Sequence, residues 1–278
     1  MEIRVVVTIL RKEIDDSLNN YWFMLYTLSF TGLALLLSWL SLSGSGTGYT
    51  GFAGFGRTAA SLINLVLLVV PLMALTIGAG SLSAEQERGT LAYLLAQPVN
   101  RLEVMLGKYL GLSLSLLGVL ALGFGLSGIT IAGQGGQSDL WPFAVLVLFS
   151  FILALGMLSL GMLISVIAHK SAVATGIALF VWLLFVFVGD LGLMGTTLAF
   201  KLPIKTLFSL ALLNPLQVFK MSALISLNTS LDVLGPTGIY ALQTYRDNLV
   251  WLFLGAMTVW IVIPFGISYF IFNQRGDL

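Results

Sequence analysis

The 278-residue chain contains no cysteine and only one histidine, His169. That inventory excludes disulfides, thiolate nucleophiles and Cys/His zinc sites, and it leaves the redox compartment undetermined. Charge is scarce as well: 9% of the residues are Asp, Glu, Lys or Arg, where a soluble domain carries roughly 25%. No water-facing surface can be built from so few. With a net charge of +1 the chain lacks the basic field that holds nucleic acid. It also lacks a G-x-x-x-x-G-K-[ST] phosphate loop. The nearest string, Gly107-Lys108-Tyr109, has neither the preceding glycine turn nor the Ser or Thr that would hold magnesium.

What the chain has is apolar sequence, 58% of it. Six stretches, 21–42, 61–82, 109–132, 141–168, 171–189 and 249–273, contain no Asp, Glu, Lys or Arg. A bilayer core of about 30 Å needs about 20 apolar residues in a helix, and the backbone inside it must bond to itself. The expectation is an all-α integral membrane protein, one domain over 1–278, with six transmembrane helices. His169-Lys170 divides an apolar run too long for one crossing, so a tight turn is expected there. No short apolar core with a cleavage site precedes the first stretch, and Glu2, Glu13, Asp15 and Asp16 interrupt the leader region, so the first span is expected to be retained.

Orientation follows from Lys and Arg, which short cytoplasmic loops retain. Arg4, Arg11, Lys12, Arg88, Arg101, Lys108, Lys170 and Arg275 fall in the N-terminal tail, the 83–108 connection, the 169–170 turn and the C-terminus. The other two short loops hold only Arg57. Both termini are therefore expected in the cytoplasm. Trp22, Trp39, Trp141 and Trp251 stand at or near span ends, where aromatic rings anchor at headgroup level.

Segment 1–20 is amphipathic, with Ile3, Val6, Val7, Leu10, Ile14 and Leu18 on one face and Arg4, Thr8, Arg11 and Asp15 opposite. It either lies along the inner leaflet or packs on the protein as a surface helix. Residues 43–56, SGSGTGYTGFAGFG, are rich enough in Gly and Ser for a flexible external loop. In the long connection 190–248 the apolar run 206–213 is too short to span and Asn214-Pro215 breaks it, so interfacial or external helices are expected, with Lys201, Lys205, Lys220 and Arg246 in water or headgroups.

Few residues offer chemistry. Glu85, Glu87 and Arg88 could be matched to an intramembrane protease with paired glutamates, but such a site needs several histidines and only His169 is present. Asp190 ends an uncharged run beside Gly189 and Gly192; with Asn214 and Pro215 it is a candidate for a transport path or external contact, the plain alternative being an interfacial helix end. The nine Met residues show no paired spacing with a histidine and read as packing. Gly107, Gly111, Gly118, Gly123, Gly125 and Gly128 would let the third span approach another helix closely.

The most specific string is 83–111, SAEQERGTLAYLLAQPVNRLEVMLGKYLG, where Leu91, Leu94 and Leu95 form one face of a short helix that Pro98 ends. Glu87, Gly89, Thr90, Leu91, Leu94, Leu95, Pro98, Val99, Arg101, Gly107 and Lys108 resemble the connection between the second and third spans of type-2 ABC exporter permeases. The resemblance runs over the whole chain, through the Arg11-Lys12-Glu13 helix to LLNPLQVFK at 212–220, and within the family it is nearest to permeases of nitrous oxide reductase maturation transporters. It implies a permease dimer on cytoplasmic ATPase subunits that bind ATP and magnesium, with no cofactor in this chain. It further implies a periplasmic partner, a copper- or sulfur-related cargo, and placement in the cell inner membrane. Glu85, Glu87, Arg88, Gly89, Thr90, Leu91, Leu94, Leu95, Pro98 and Arg101 would then form the contact with the ATPase, the helix being pushed as the ATPase pair closes. Other readings are a permease for drug, lipid or polysaccharide, a secondary transporter that uses Asp190, and a membrane anchor for a partner complex.

Overall fold

A computed structural model of the chain describes residues 2–43, 52–133, 140–189, 203–226, 236–245 and 248–274. Asp190 lies outside them. Every regular element among the described residues is helical: α1 (Ile3–Leu18), α2 (Tyr21–Ser43), α3 (Phe52–Glu87), α4 (Thr90–Leu95), α5 (Arg101–Gly133), α6 (Leu140–Ile167), α7 (Ser171–Phe187), α8 (Ile204–Leu212), α9 (Pro215–Ser226), α10 (Pro236–Tyr245) and α11 (Leu249–Gln274).

Helices α2, α3, α5, α6 and α11 are long and apolar enough to cross a bilayer, and the bent pair α8–α9 makes a sixth if it counts as one span. The expected span 171–189 is α7, whose 17 residues rise about 26 Å, slightly less than a bilayer core. The break between α6 and α7 falls at Ala168–Lys170, and Lys170 is extended at φ −123 and ψ 135.

Two boundaries differ from the sequence expectation. Helix α3 starts within the Gly-rich stretch 43–56 and runs to Glu87, and α5 starts at Arg101, about two turns before the apolar run begins at Tyr109. Once a helix is nucleated, each added residue gains a hydrogen bond at little cost, so helices outrun their apolar stretch until a cap stops them. At α5 that cap is local: Glu103 Oε2 accepts the backbone N–H of Asn100 at 3.1 Å, as in a capping box. The polar connection therefore narrows from 83–108 to 88–100, and Lys108 sits inside a helix.

Lipid tails are as apolar as leucine, so helices in a bilayer associate through close packing rather than through the hydrophobic effect. The central pair, α3 and α6, follows that rule at Gly78 and Gly161. A Cβ on Gly161 would lie 2.6 Å from the Leu75 carbonyl oxygen, and one on Gly78 2.8 Å from that of Leu158. One turn along α6 the Ser165 hydroxyl oxygen accepts the backbone N–H groups of Leu82 and Ser83, both at 2.8 Å. Helix α2 packs on α5 where Phe30 occupies the space left by Gly123 and meets Phe124 edge-on at 5.6 Å. Gly118 and Gly125 face open space.

At the end of the bundle formed by the start of α3 and the close of α7, α8 and α9 meet at 105°. Asn214 explains the corner. Its Oδ1 accepts the N–H of Leu216 at 2.9 Å and so caps α9, with Pro215 at the first helical position, while its Nδ2 donates to the Phe185 carbonyl of α7 at 2.8 Å. Beyond the corner α9 is buried through Leu216, Val218, Phe219, Met221 and Ala223 against α3, α6 and α11.

The Gly78–Gly161 crossing makes a specific prediction. Gly161→Ala should cost about 1–3 kcal/mol, because the obstructing atoms belong to backbone that cannot give way. Gly255→Ala on α11, where nothing lies within 4 Å, should be neutral or slightly stabilising. Thermal unfolding of both variants in detergent checks the contrast.

Candidate functional site

The opposite end of the bundle gathers the charge. Helix α1 lies across the start of α5, with Val6, Ile9, Glu13 and Ser17 buried. Gly107 and Gly111 make the approach possible: a Cβ on either would sit 2.7 Å from the Cβ of Ile9 or of Glu13. The apolar face read from the sequence is thus divided. Val6 packs on α5, whereas Ile3, Val7 and Leu18 stay exposed beside half-buried Leu10 and Ile14.

Burying Glu13 against a membrane helix requires a counter-charge, and Lys108 of α5 supplies it. Its ammonium, 1% exposed, donates to Glu13 Oε1 at 2.7 Å, to Glu85 Oε1 at 2.9 Å and to the Ser81 carbonyl at 3.2 Å. All three N–H donors are satisfied, by α1 and by the end of α3. Lys12 adds a second cation, bonded to Glu85 Oε1 and lying 3.4 Å from Glu13 and 3.5 Å from Asp16. Burial opposes the charged form of Lys12, but the hydrogen bond to Glu85 and the neighbouring carboxylates outweigh it and raise its pKa. A raised lysine pKa contributes stability that is complete below about pH 10.4 and is lost only as pH rises through the raised value. Lys12 therefore keeps its charge across the physiological range.

The connection 88–100 hangs from this hub. Gly89 turns the chain at φ 73, a left-handed conformation that glycine alone adopts freely, and Thr90 Oγ1 donates back to the Glu85 carbonyl at 3.2 Å. On α4, Leu91 is buried with Leu82, Met105, Met162, Val166 and Phe272, and Leu94 and Leu95 pack part-way onto the same cluster. Two charged side chains that flank the connection act at neighbouring helix ends. Glu87 Oε2 accepts the N–H of Ser171 at 2.9 Å and caps α7, and Arg101 donates to the carbonyls of Phe272 at 2.6 Å and Asn273 at 3.1 Å, closing α11. Ala92, Tyr93, Ala96, Gln97 and Pro98 face outward, and Tyr93 is 79% exposed.

Of the residues expected from the sequence to contact a partner, Arg88, Gly89, Thr90 and Pro98 are exposed, Leu91 is buried, and Glu85, Glu87 and Arg101 are bonded within the chain. Asn214 and Pro215 stand at the other end of the bundle, beside a cavity of about 140 Å³ lined by Asn64, Leu67, Leu68, Phe185, Val186, Leu216 and Gln217. Sequence reasoning missed Tyr93 and the Glu13–Lys108–Glu85 hub. A signal for the hub existed: Glu13 follows Val6 and Ile9 along one helical row, an acid on an apolar face. Met73, Met105, Met157, Met162, Met221 and Met257 are core residues. Among the described residues no group of three or more His, Asp or Glu is placed to hold a metal ion.

Removing one partner of a buried ion pair strands the others, so Lys108→Met should lower stability by about 3–5 kcal/mol. Adding Glu13→Gln and Glu85→Gln to it should recover part of that loss. Lys12→Met, at a half-exposed position, should cost much less. Denaturation of the four proteins in detergent measures the order.

Residues 7–277 match the model of the family described as ABC-2 family transporter protein. The chain is 32% identical over 277 residues to the probable ABC transporter permease protein NosY of Stutzerimonas stutzeri, covering 97% of this chain and 98% of that protein. To the protein of the same name from Pseudomonas aeruginosa it is 30% identical over 281 residues, with 98% of each covered. The chain belongs to the ABC-2 family, as the membrane permease of an ABC transporter.

Proposed function

We propose that this permease takes part in nitrous oxide reductase maturation, moving a copper- or sulfur-related species under the drive of separate ATPase subunits that bind ATP and magnesium. The family supports the ATPase partner, and the similarity to permeases named NosY supports the pathway. Two copies of the chain form the membrane unit in this reading. It sits in the inner membrane with both termini cytoplasmic, since the Lys and Arg of the short connections gather at the α4 end of the bundle. The exposed row Ile3, Val7 and Leu18 of α1 meets the inner leaflet. A periplasmic protein receives or hands over the cargo at the α8–α9 end.

The observation that carries the ATPase contact is the division of α4. Leu91 roots the helix in its own chain, whereas Tyr93, an aromatic at 79% exposure with no intramolecular cover, points away from the bundle. Aromatic side chains with a polar tip are common anchors of protein interfaces. The ATPase seats on Tyr93, Ala92 and Ala96, with Arg88 and Pro98 at its rim. Closing of the ATPase pair on ATP presses α4, and Leu91, Glu87 and Arg101 pass the displacement to α5, α6, α7 and α11.

Two experiments check this reading. Tyr93→Asp should leave permease abundance and unfolding temperature unchanged while reducing ATPase co-purification at least tenfold, about 1.4 kcal/mol or more; Leu91→Asp should instead lower abundance. Wild-type recovery of the ATPase by Tyr93→Asp refutes the contact. For orientation, cysteines introduced singly at Ser45 and Gln97 are unambiguous because the chain has none of its own. An impermeant maleimide should label the first in intact cells and the second only after lysis.

A further inference from the structure

Helix α1 presents three faces. Val6, Ile9, Glu13 and Ser17 are buried, and the close approach at Gly107 and Gly111, together with the bond from Lys108 to Glu13, fixes which side of the helix meets α5. Ile3, Val7, Leu10, Ile14 and Leu18 then form a second row, exposed or half-buried, because spacings of three and four residues return to one side of a helix. Arg4 and Arg11 lie beyond that row, on the side turned away from α5, two turns and about 10 Å apart. Both are exposed, and no hydrogen bond or ion pair among the described residues engages either guanidinium. Asp15 is spaced to pair with Arg11 but does not, and Asp16 lies 3.5 Å from Lys12 instead.

These cations are not placed for the benefit of the helix. A helix dipole favours acids in the first turn and bases in the last, and α1 has neither there. Its first turn carries Arg4 and its last Asp15 and Asp16, while Glu2 at the N-cap makes no side-chain cap. Charge that the dipole opposes and that no neighbour neutralises calls for a match outside the chain. We propose that Arg4 and Arg11 bind the headgroups of anionic phospholipids, so that α1 selects for lipid charge in addition to seating its apolar row. This rests on the reading that the row meets the inner leaflet. With one face on the bundle and the next on the leaflet, the arginines reach sideways over the surrounding headgroups. A guanidinium donates paired N–H bonds to a phosphate. A zwitterionic headgroup offers that phosphate with an ammonium of its own, so a net anionic lipid is the better counter-charge. Basic residues beside an aliphatic row are the pattern of helices that lie in an anionic interface.

The permease–ATPase complex in phosphatidylcholine vesicles provides the test. A fluorophore on Thr8→Cys, an exposed position between the two arginines in a chain without cysteine, is attached before the ATPase is added. Phosphatidylglycerol or phosphatidylcholine with a nitroxide on its acyl chain is then titrated in as quencher. With both arginines present, phosphatidylglycerol should quench at a mole fraction roughly fivefold or more below that of phosphatidylcholine, and high salt should narrow the gap. Arg4→Gln combined with Arg11→Gln should bring the two lipids together. Lys170→Gln, which removes an exposed cation off α1, should leave the preference intact. A preference that survives the double variant overturns the proposal. Equal quenching by both lipids overturns it too, and leaves the leaflet contact standing. If neither lipid quenches, the leaflet contact falls and the proposal with it. Quenching that inorganic phosphate reverses assigns the arginines to a soluble anion, and quenching seen only without the ATPase assigns the face to that protein; either result also overturns the lipid site.

Discussion

One buried ammonium organises the end of the bundle that carries α4. Lys108 is held by carboxylates from α1 and α3 and by a carbonyl of α3, so three helices share a single charge that none can release alone. Taking a charge out of water costs several kcal/mol, and only complete coordination makes that tolerable at the mouth of a membrane bundle. The consequence is geometric. Helix α1, which could have floated on the leaflet as an independent amphipathic segment, is bound to the base of the very connection that carries α4.

Around that hub the helices are held to one another by different contacts. The α3–α6 pair is locked by glycine-to-backbone contact and by the Ser165 hydroxyl, and α11 is closed by Arg101. Helix α7 buries Ala174 and Ala178 in its first half, packs Val181, Trp182, Phe185 and Val186 partly onto the core in its second, and is bonded by single side chains near its ends. Small residues, glycine on α3 and α6 and alanine on α7, stand where these helices approach one another.

The structure places the residues of the 83–108 region in different settings. Glu87 and Arg101, grouped by resemblance with the ATPase contact, use their charges on the ends of α7 and α11 within the chain, although Glu87 itself stays exposed. Leu91 is an anchor in its own protein. Tyr93 is the large side chain exposed on α4, one step round the helix from Ala92, and nothing in the spacing of the leucines marks it out.

The sequence alone determined that the chain spans a membrane as helices, where the α6–α7 turn falls and where Asn214-Pro215 breaks the chain, because each depends on local facts: run length against bilayer thickness, a polar pair within an apolar stretch, a proline without a donor. Its family was legible too, since the string 83–111 carries a pattern of turn glycine, leucine face and stopping proline. The extent of α3 and α5 was not legible, because helices continue past their apolar runs until a cap stops them. Nor were the partners of Glu13 and Lys108, 95 residues apart, or the union of Glu87 with Ser171 and of Asn214 with Phe185. Those pairings require helices distant in sequence to arrive side by side. Only the tertiary structure decides which buried charge meets which, because electrostatic satisfaction in a low dielectric depends on distances of a few ångströms that no one-dimensional pattern records.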